Sequence, residues 1–224
     1  MCGRFAITLP TDAMAQLFAA APANDLPTVP NYNVCPTNQV HSVVGGAGAQ
    51  RRLVAMRWGF LPHWYMGPSD GPLLINARAE TIAEKPAFRA ACRERRCLIP
   101  VSGFYEWTKD GDGVRWPWYI HGKQTLALAG VWQRWDKGDT PLETCAIVTT
   151  GANAAMSRIH HRMPVVIAQK DWGLWLGEEG HGAARLMRAP DEDLLTFHAV
   201  DRAVNSSRAE GAQLIEPVTR DGPR

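Results

Sequence analysis

No stretch of this chain approaches the ~20 consecutive apolar residues that a helix needs to span a membrane. Nor does a basic start followed by a long apolar run mark its N-terminus as a secretion signal. Charge is nearly balanced, 24 basic against 22 acidic side chains, leaving +2. That is too little to point to a polyanionic partner from composition alone, so any such partner has to be read from local clusters. Cysteine is sparse and odd in number, five in all: Cys2, Cys35, Cys92, Cys97 and Cys145. The Cys92 to Cys97 gap lacks Cys-x2-Cys spacing and no second pair follows, which excludes a zinc knuckle and argues against a disulfide framework. Repeats, linkers and low-complexity runs are missing too. These absences fit a soluble chain in the reducing cytoplasm, with neither metal nor other cofactor, working as a monomer.

What remains is 224 residues, 46% apolar and 21% charged, enough for one well-buried core. Alternation and turn residues predict strands over Arg4–Thr8, Val40–Val44, Arg51–Phe60, Leu73–Ile75, Cys97–Trp107, Val114–His121, Thr125–Trp135, Thr144–Thr150, Pro164–Ala168 and Phe197–Val204. Helices are expected over Ala13–Ala21, with N-cap chemistry from Thr11 and Asp12, over Ala83–Arg95, and over Lys170–Leu176. Asn153–Ile159 and Asp191–Leu195 read as helical turns, Gly45–Gly48 as a flexible turn, and Pro22–Pro36, rich in Pro and Asn, as an ordered loop. Many short strands, few helices and no βαβ rhythm give an α+β class, with an antiparallel sheet curled into a barrel-like core and short flanking helices. One domain is expected over 1–217, followed by a loose tail over 218–224.

Cys2 follows the initiator methionine, and a residue this small permits removal of Met1. The product is a 1,2-aminothiol whose amine and thiol, with reference pKa values of about 8 and about 8.5, are both partly nucleophilic near neutrality. An aldehyde condenses with such an amine, and the thiol closes the imine to a thiazolidine. Alternatively, Cys2 simply lies on a frayed end.

Four polar islands interrupt apolar strands or end them. Asn76-Ala77-Arg78-Ala79-Glu80 puts an amide, a guanidinium and a carboxylate on alternate residues, either a polar face or an Arg78–Glu80 ion pair. In Gly103-Phe104-Tyr105-Glu106-Trp107, a desolvated Glu106 has a raised pKa suited to general acid work, unless it faces outward. Ile159-His160-His161-Arg162-Met163-Pro164 offers His160 as acid/base or as a structural histidine; adjacent histidines on different faces make a poor metal clamp. In Arg57-Trp58-Gly59-Phe60-Leu61-Pro62-His63-Trp64-Tyr65, Trp58 is either core or a base-stacking ring, while Trp64 and Tyr65 in the loop are the better stacking candidates. Arg4, Arg78 and Arg162 gathered around Cys2 would attract phosphates and favour the thiolate.

Together these islands resemble the SRAP family of SOS-response-associated peptidases and abasic-site processing proteins. The resemblance also takes in Tyr32-Asn33-Val34-Cys35-Pro36-Thr37, Thr149, Val204-Asn205 and Ala212-Gln213-Leu214-Ile215, and runs in order over nearly the whole chain. It implies a compact α+β fold with a positively charged groove for single-stranded DNA, and a stable thiazolidine crosslink between Cys2 and the ring-opened aldehyde of an abasic site. Carried over residue by residue, it implies that Asn76 holds the reacting sugar, Glu106 shuttles protons, His160 acts as acid/base near the sugar oxygen, and Thr149 orients Glu106. Arg4, Arg78 and Arg162 would bind flanking phosphates, and Pro36, Trp64 and Tyr65 would shape the groove. Relatives can carry two tryptophans where this chain has Trp64-Tyr65, and only Lys85 loosely matches a basic residue expected after Asn76. Lyase chemistry at the imine, a thiol peptidase of N-terminal-nucleophile type acting also on Met1, and a non-catalytic reader of single-stranded or modified DNA stay open as alternatives.

Overall fold

The computed structural model describes residues 2–46 and 50–218. Met1, the end of the Gly45–Gly48 turn and the tail from 219 onward lie outside them. The strands are β1 (Phe5–Ile7), β2 (Ala20–Pro22), β3 (Asn31–Val34), β4 (Gln39–Val44), β5 (Arg51–Trp58), β6 (Asn76–Arg78), β7 (Arg96–Lys109), β8 (Arg115–Trp135), β9 (Leu142–Gly151), β10 (Arg162–Pro164) and β11 (Thr196–Ala199). The helices are α1 (Thr11–Phe18), α2 (Arg89–Glu94), α3 (Ala154–Ser157) and α4 (Trp172–Leu176), with short 3-10 turns between. Strands β8, β9, β5, β4 and β7 pair in that order and β7 returns to β8, closing a five-stranded barrel. The α+β class and the curled antiparallel sheet are as expected, with parallel pairings of β2 with β5, β5 with β9, and β6 with β9 added.

β7 is buried on both faces from Cys97 to Val101, because one face fills the barrel and helices cover the other. Trp175 of α4 donates its indole N–H to the Cys97 carbonyl at 2.8 Å. Trp172 stacks on Phe18 of α1 with ring centres 4.3 Å apart. Trp58 is core: fully buried, 5.0 Å from the Phe5 ring, its Nε1 donating to the Ile75 carbonyl at 3.0 Å. Each of these indoles meets the rule that a buried aromatic N–H needs an acceptor.

The differences from expectation have local causes. α1 starts from Pro10 as N-cap without a side-chain cap and ends when Ala19 turns left-handed at φ 48°; Ala20 and Ala21 then join β5, so sheet pairing overrides alanine's helix propensity. β3 lies inside the predicted loop because β1 supplies a partner, Phe5 facing Val34. Ahead of α2, residues 79–88 form turns around Pro86 rather than helix. β8 runs unbroken through Gly122-Lys123, following β7 along almost its whole length with one register shift between Val101 and Gly103. A Cβ on Gly103 would sit 2.4 Å from the Tyr119 ring and 2.7 Å from the Ile120 carbonyl. Only glycine fits there, and it lets β7 swing across to β1 and present Glu106.

Candidate active site

The β1–β7 ladder fixes the N-terminal segment. Phe5 faces Phe104, and the Arg4 carbonyl accepts the Tyr105 amide at 2.9 Å, which carries residues 2–4 alongside Tyr105 to Trp107. Cys2 is fully buried there. β6, parallel to β9 with Asn76 opposite Ile147, brings Asn76 to the same place, where its Nδ2 donates to the Cys2 carbonyl at 2.9 Å. Asn76 Oδ1 is buried with no hydrogen-bond partner among the described residues, an acceptor left for another donor at the site.

Glu106 is buried, and burial raises its carboxyl pKa above the usual carboxylate range. Burial, and then the nearby Glu106 charge, also push the Cys2 thiol far above its ordinary value. Burial outweighs the thiolate stabilisation expected from three clustered cations. The charge that Cys2 feels most is the carboxyl, while Arg78 is exposed at the end of β6 and Arg162 is occupied elsewhere. Burial therefore favours the thiol form of Sγ.

His160 follows the short helix α3, which Asn153 caps by accepting the Met156 amide at 3.0 Å. The Arg162 amide lies 3.0 Å from His160 Nδ1. The Arg162 carbonyl lies 3.1 Å from the same nitrogen, so Nδ1 can donate as well as accept, and these contacts suit both tautomers of the neutral ring. Burial lowers the pKa of His160, favouring that neutral form. Its neighbour does not diverge, as adjacent strand residues would; the His160 and His161 rings stack, centres 4.4 Å apart. Arg162 makes a bidentate ion pair with Glu80, Nη1 to Oε1 at 2.7 Å and Nη2 to Oε2 at 2.9 Å, and Nη2 also donates to the Thr149 carbonyl at 2.8 Å. Glu80 thus pairs across 82 positions with Arg162 and not with Arg78. Thr149 Oγ1 lies 3.4 Å from Arg162 Nη2, so its side chain meets the arginine.

The groove candidates separate. Trp64 is 47% exposed, with His63 edge-on at 4.9 Å. Tyr65 meets Trp64 edge-on, ring centres 6.4 Å apart, and offers no second platform. Its ring is buried with Leu61 and Trp135, and its carbonyl accepts Trp135 Nε1 at 2.8 Å. Loop position alone did not reveal this, because the loop folds back onto the barrel. Pro36 is half-buried in a turn pinned by Asn38, whose Oδ1 accepts the Cys35 amide at 2.9 Å. Sequence reasoning missed Glu80 as the counter-ion of Arg162, and Asn33 as a partner of Arg4; motif membership was the only signal for either.

Residues 1–207 match the family described as SOS response associated peptidase (SRAP). The chain belongs to the SRAP family. It is 34% identical over 225 residues to the abasic site processing protein YoqW of Bacillus subtilis, covering 96% of this chain and 99% of that one. With the abasic site processing protein YedK of Escherichia coli, identity is 31% over 229 residues, covering 97% and 100%. With the abasic site processing protein HMCES of Pongo abelii it is 28%, covering 97% and 76%. A crystal structure of a Bacteroides thetaiotaomicron protein shares the fold, with TM-score 0.82, 23% identity, and coverage of 97% and 100%. Among the described residues of this SRAP chain, no group of three or more His, Cys, Asp or Glu could hold a metal ion, and no helix is long and apolar enough to cross a membrane.

Proposed function

We propose that this protein captures abasic sites in single-stranded DNA by bonding them to Cys2. The observation carrying this reading is the convergence at Cys2 of the Asn76 carboxamide, 2.9 Å from its carbonyl, and of a buried carboxyl whose acid form burial favours. The names of the full-length relatives, abasic site processing proteins, support it.

Loss of Met1 would free the α-amine of Cys2. That nitrogen attacks C1′ of the ring-opened sugar, and the carbonyl oxygen collects two protons and leaves as water while C=N forms. Sγ then adds to C1′, the C=N electron pair moves to nitrogen, and the thiol proton ends there. The product is a thiazolidine, formed with net loss of one water. In this scheme Glu106 passes protons from the amine to the leaving oxygen and then relays the thiol proton to that nitrogen. His160 serves as the acid/base at the sugar ring oxygen as it opens, and Asn76 holds the terminus beside the sugar. Arg4, Arg78 and Arg162 face the flanking phosphates; Pro36 and Trp64 shape the groove, with Trp64 as the stacking ring. The imine stage acidifies the adjacent sugar carbon, so lyase chemistry belongs to the same reading, and the same thiol would serve in releasing Met1.

The test is a denaturing gel of the protein with a single-stranded oligonucleotide carrying one abasic site, with undamaged oligonucleotide as control. A heat-resistant shifted band is expected, absent with Cys2→Ala, which should still bind undamaged strand. Undiminished crosslinking by Cys2→Ala would sink the mechanism. No band from protein shown by mass to lack Met1, together with cleavage of a peptide, would favour a thiol peptidase.

A further inference from the structure

Arg4 stands two residues from Cys2, and distant parts of the chain meet at its guanidinium. Nη1 donates to Asn33 Oδ1 at 2.7 Å and to the Val204 carbonyl at 2.9 Å, a contact spanning 200 positions. The guanidinium carbon lies 5.8 Å from the centre of the Trp107 ring, whose Nε1 donates to Asn205 Oδ1 at 2.6 Å. Asn33 is the hub. It is 7% exposed, and its Nδ2 donates to the carbonyls of Ser206 at 3.1 Å and Ala209 at 2.7 Å. One carboxamide thus uses both hydrogens and an oxygen to join β3, the N-terminal segment and a strap over residues 204–209. Aspartate has no donors for the strap and alanine has nothing for either partner.

A chain end frays unless something ties it down, and a nucleophile contributes only if it meets its carbon at about 3–3.5 Å in the right direction. Once Met1 is lost, Cys2 would be such an end. The β1–β7 ladder holds the backbone as far as the Arg4 carbonyl, and Asn76 holds Cys2 itself. Between these two points, the Arg4 side chain anchors the segment to the rest of the fold. We propose that Asn33 is a positioning residue for the Cys2 nucleophile: by locking Arg4 against the 204–209 strap it sets where the terminus enters the site. This rests on the covalent-capture reading above. It also gives work to the Tyr32–Thr37 and Val204–Asn205 motifs, most of which that reading leaves idle.

Crosslinking time courses over a range of abasic oligonucleotide concentrations separate the covalent step from DNA binding. Asn33→Ala should slow the step at saturating oligonucleotide by roughly 10- to 100-fold. The half-saturating concentration should move by less than about two-fold, with rates corrected for the folded fraction measured by denaturation. A purely structural role would change the folded fraction and leave the rate per folded molecule intact. Asn205→Ala, an exposed side chain, guards against a folding failure and should slow the same step about three-fold. Unchanged saturated rates in the folded fraction of both variants overturn the proposal, as does a loss confined to affinity. A protein of native sequence that never crosslinks would overturn the covalent-capture reading instead.

Discussion

Arg4, two residues from Cys2, and Arg162, two residues from His160, are held in different ways. Arg4 is gripped by neutral oxygens, Asn33 Oδ1 and the Val204 carbonyl, and none of the ion pairs among the described residues involves it. Arg162 is gripped by a carboxylate, Glu80, whose side chain is 49% exposed against 13% for the arginine. Neutral oxygens fix a cation without cancelling it, so Arg4 is at once a rigid strut and an uncompensated positive charge. A half-exposed carboxylate cancels the charge it fixes, and solvent can replace it at little cost. The same residue type therefore makes a permanent anchor near Cys2 and an exchangeable counter-ion near His160.

The largest way to break this contrast is to remove each arginine in turn. Arg4→Ala strands the buried Asn33 acceptor and should lower unfolding free energy by about 3 kcal/mol. Arg162→Ala leaves Glu80 free to hydrate and should cost about 1 kcal/mol or less. Denaturant titration of both variants measures this, and equal losses would erase the distinction.

Next comes a buried group with neither kind of partner. His41 is buried in β4 with no hydrogen bond to either ring nitrogen among the described residues, and burial lowers its pKa from 6.5 to about 4. A base whose folded pKa is depressed binds its proton more readily when unfolded. Stability is therefore unaffected above about pH 6.5 and drains away as pH falls toward 4. The loss between pH 7 and pH 5 should be about 2 kcal/mol, and His41→Leu should flatten that limb. An unchanged slope in the variant would assign acid sensitivity elsewhere.

The smallest effect tests exchangeability. Glu80→Gln should release Arg162 to a phosphate, raising affinity for undamaged single strand a few-fold. It should also steepen the dependence of log K on log salt by about 0.7, the increment for one added phosphate contact. Fluorescence anisotropy across a salt series reads both. Tighter binding with no change in slope would mean that Arg162 stays out of contact with the strand.

Much of this fold is visible in the chain's own pattern. Alternation marks β5, a short apolar run marks β9, and the Asp110–Gly113 turn announces the β7–β8 hairpin. β3 is not visible, since its pairing with β1 is imposed from a distance on a stretch of poor strand propensity. The candidate site is legible as separate polar islands, because Asn76 and Glu106 end up where strand order carries them. What holds the islands together is not legible: the links from Arg4 to Val204 and from Arg162 to Glu80 span 200 and 82 positions. Tyr65 escaped for a related reason, as an aromatic after a Pro-containing loop reads the same whether it stacks outward or, as here, packs on Trp135.

The central claim is that one residue, Cys2, gives both its nitrogen and its sulfur to the abasic carbon. Mass mapping of the N-terminal peptide after crosslinking, nuclease digestion and thiol alkylation tests it directly. The expected peptide lacks Met1, carries the sugar with loss of one water without any reductant, and has a Cys2 sulfur that no longer alkylates. An adduct that appears only after borohydride and leaves the Cys2 thiol open to alkylation would show an imine without ring closure. An adduct on Cys35 would contradict the claim outright.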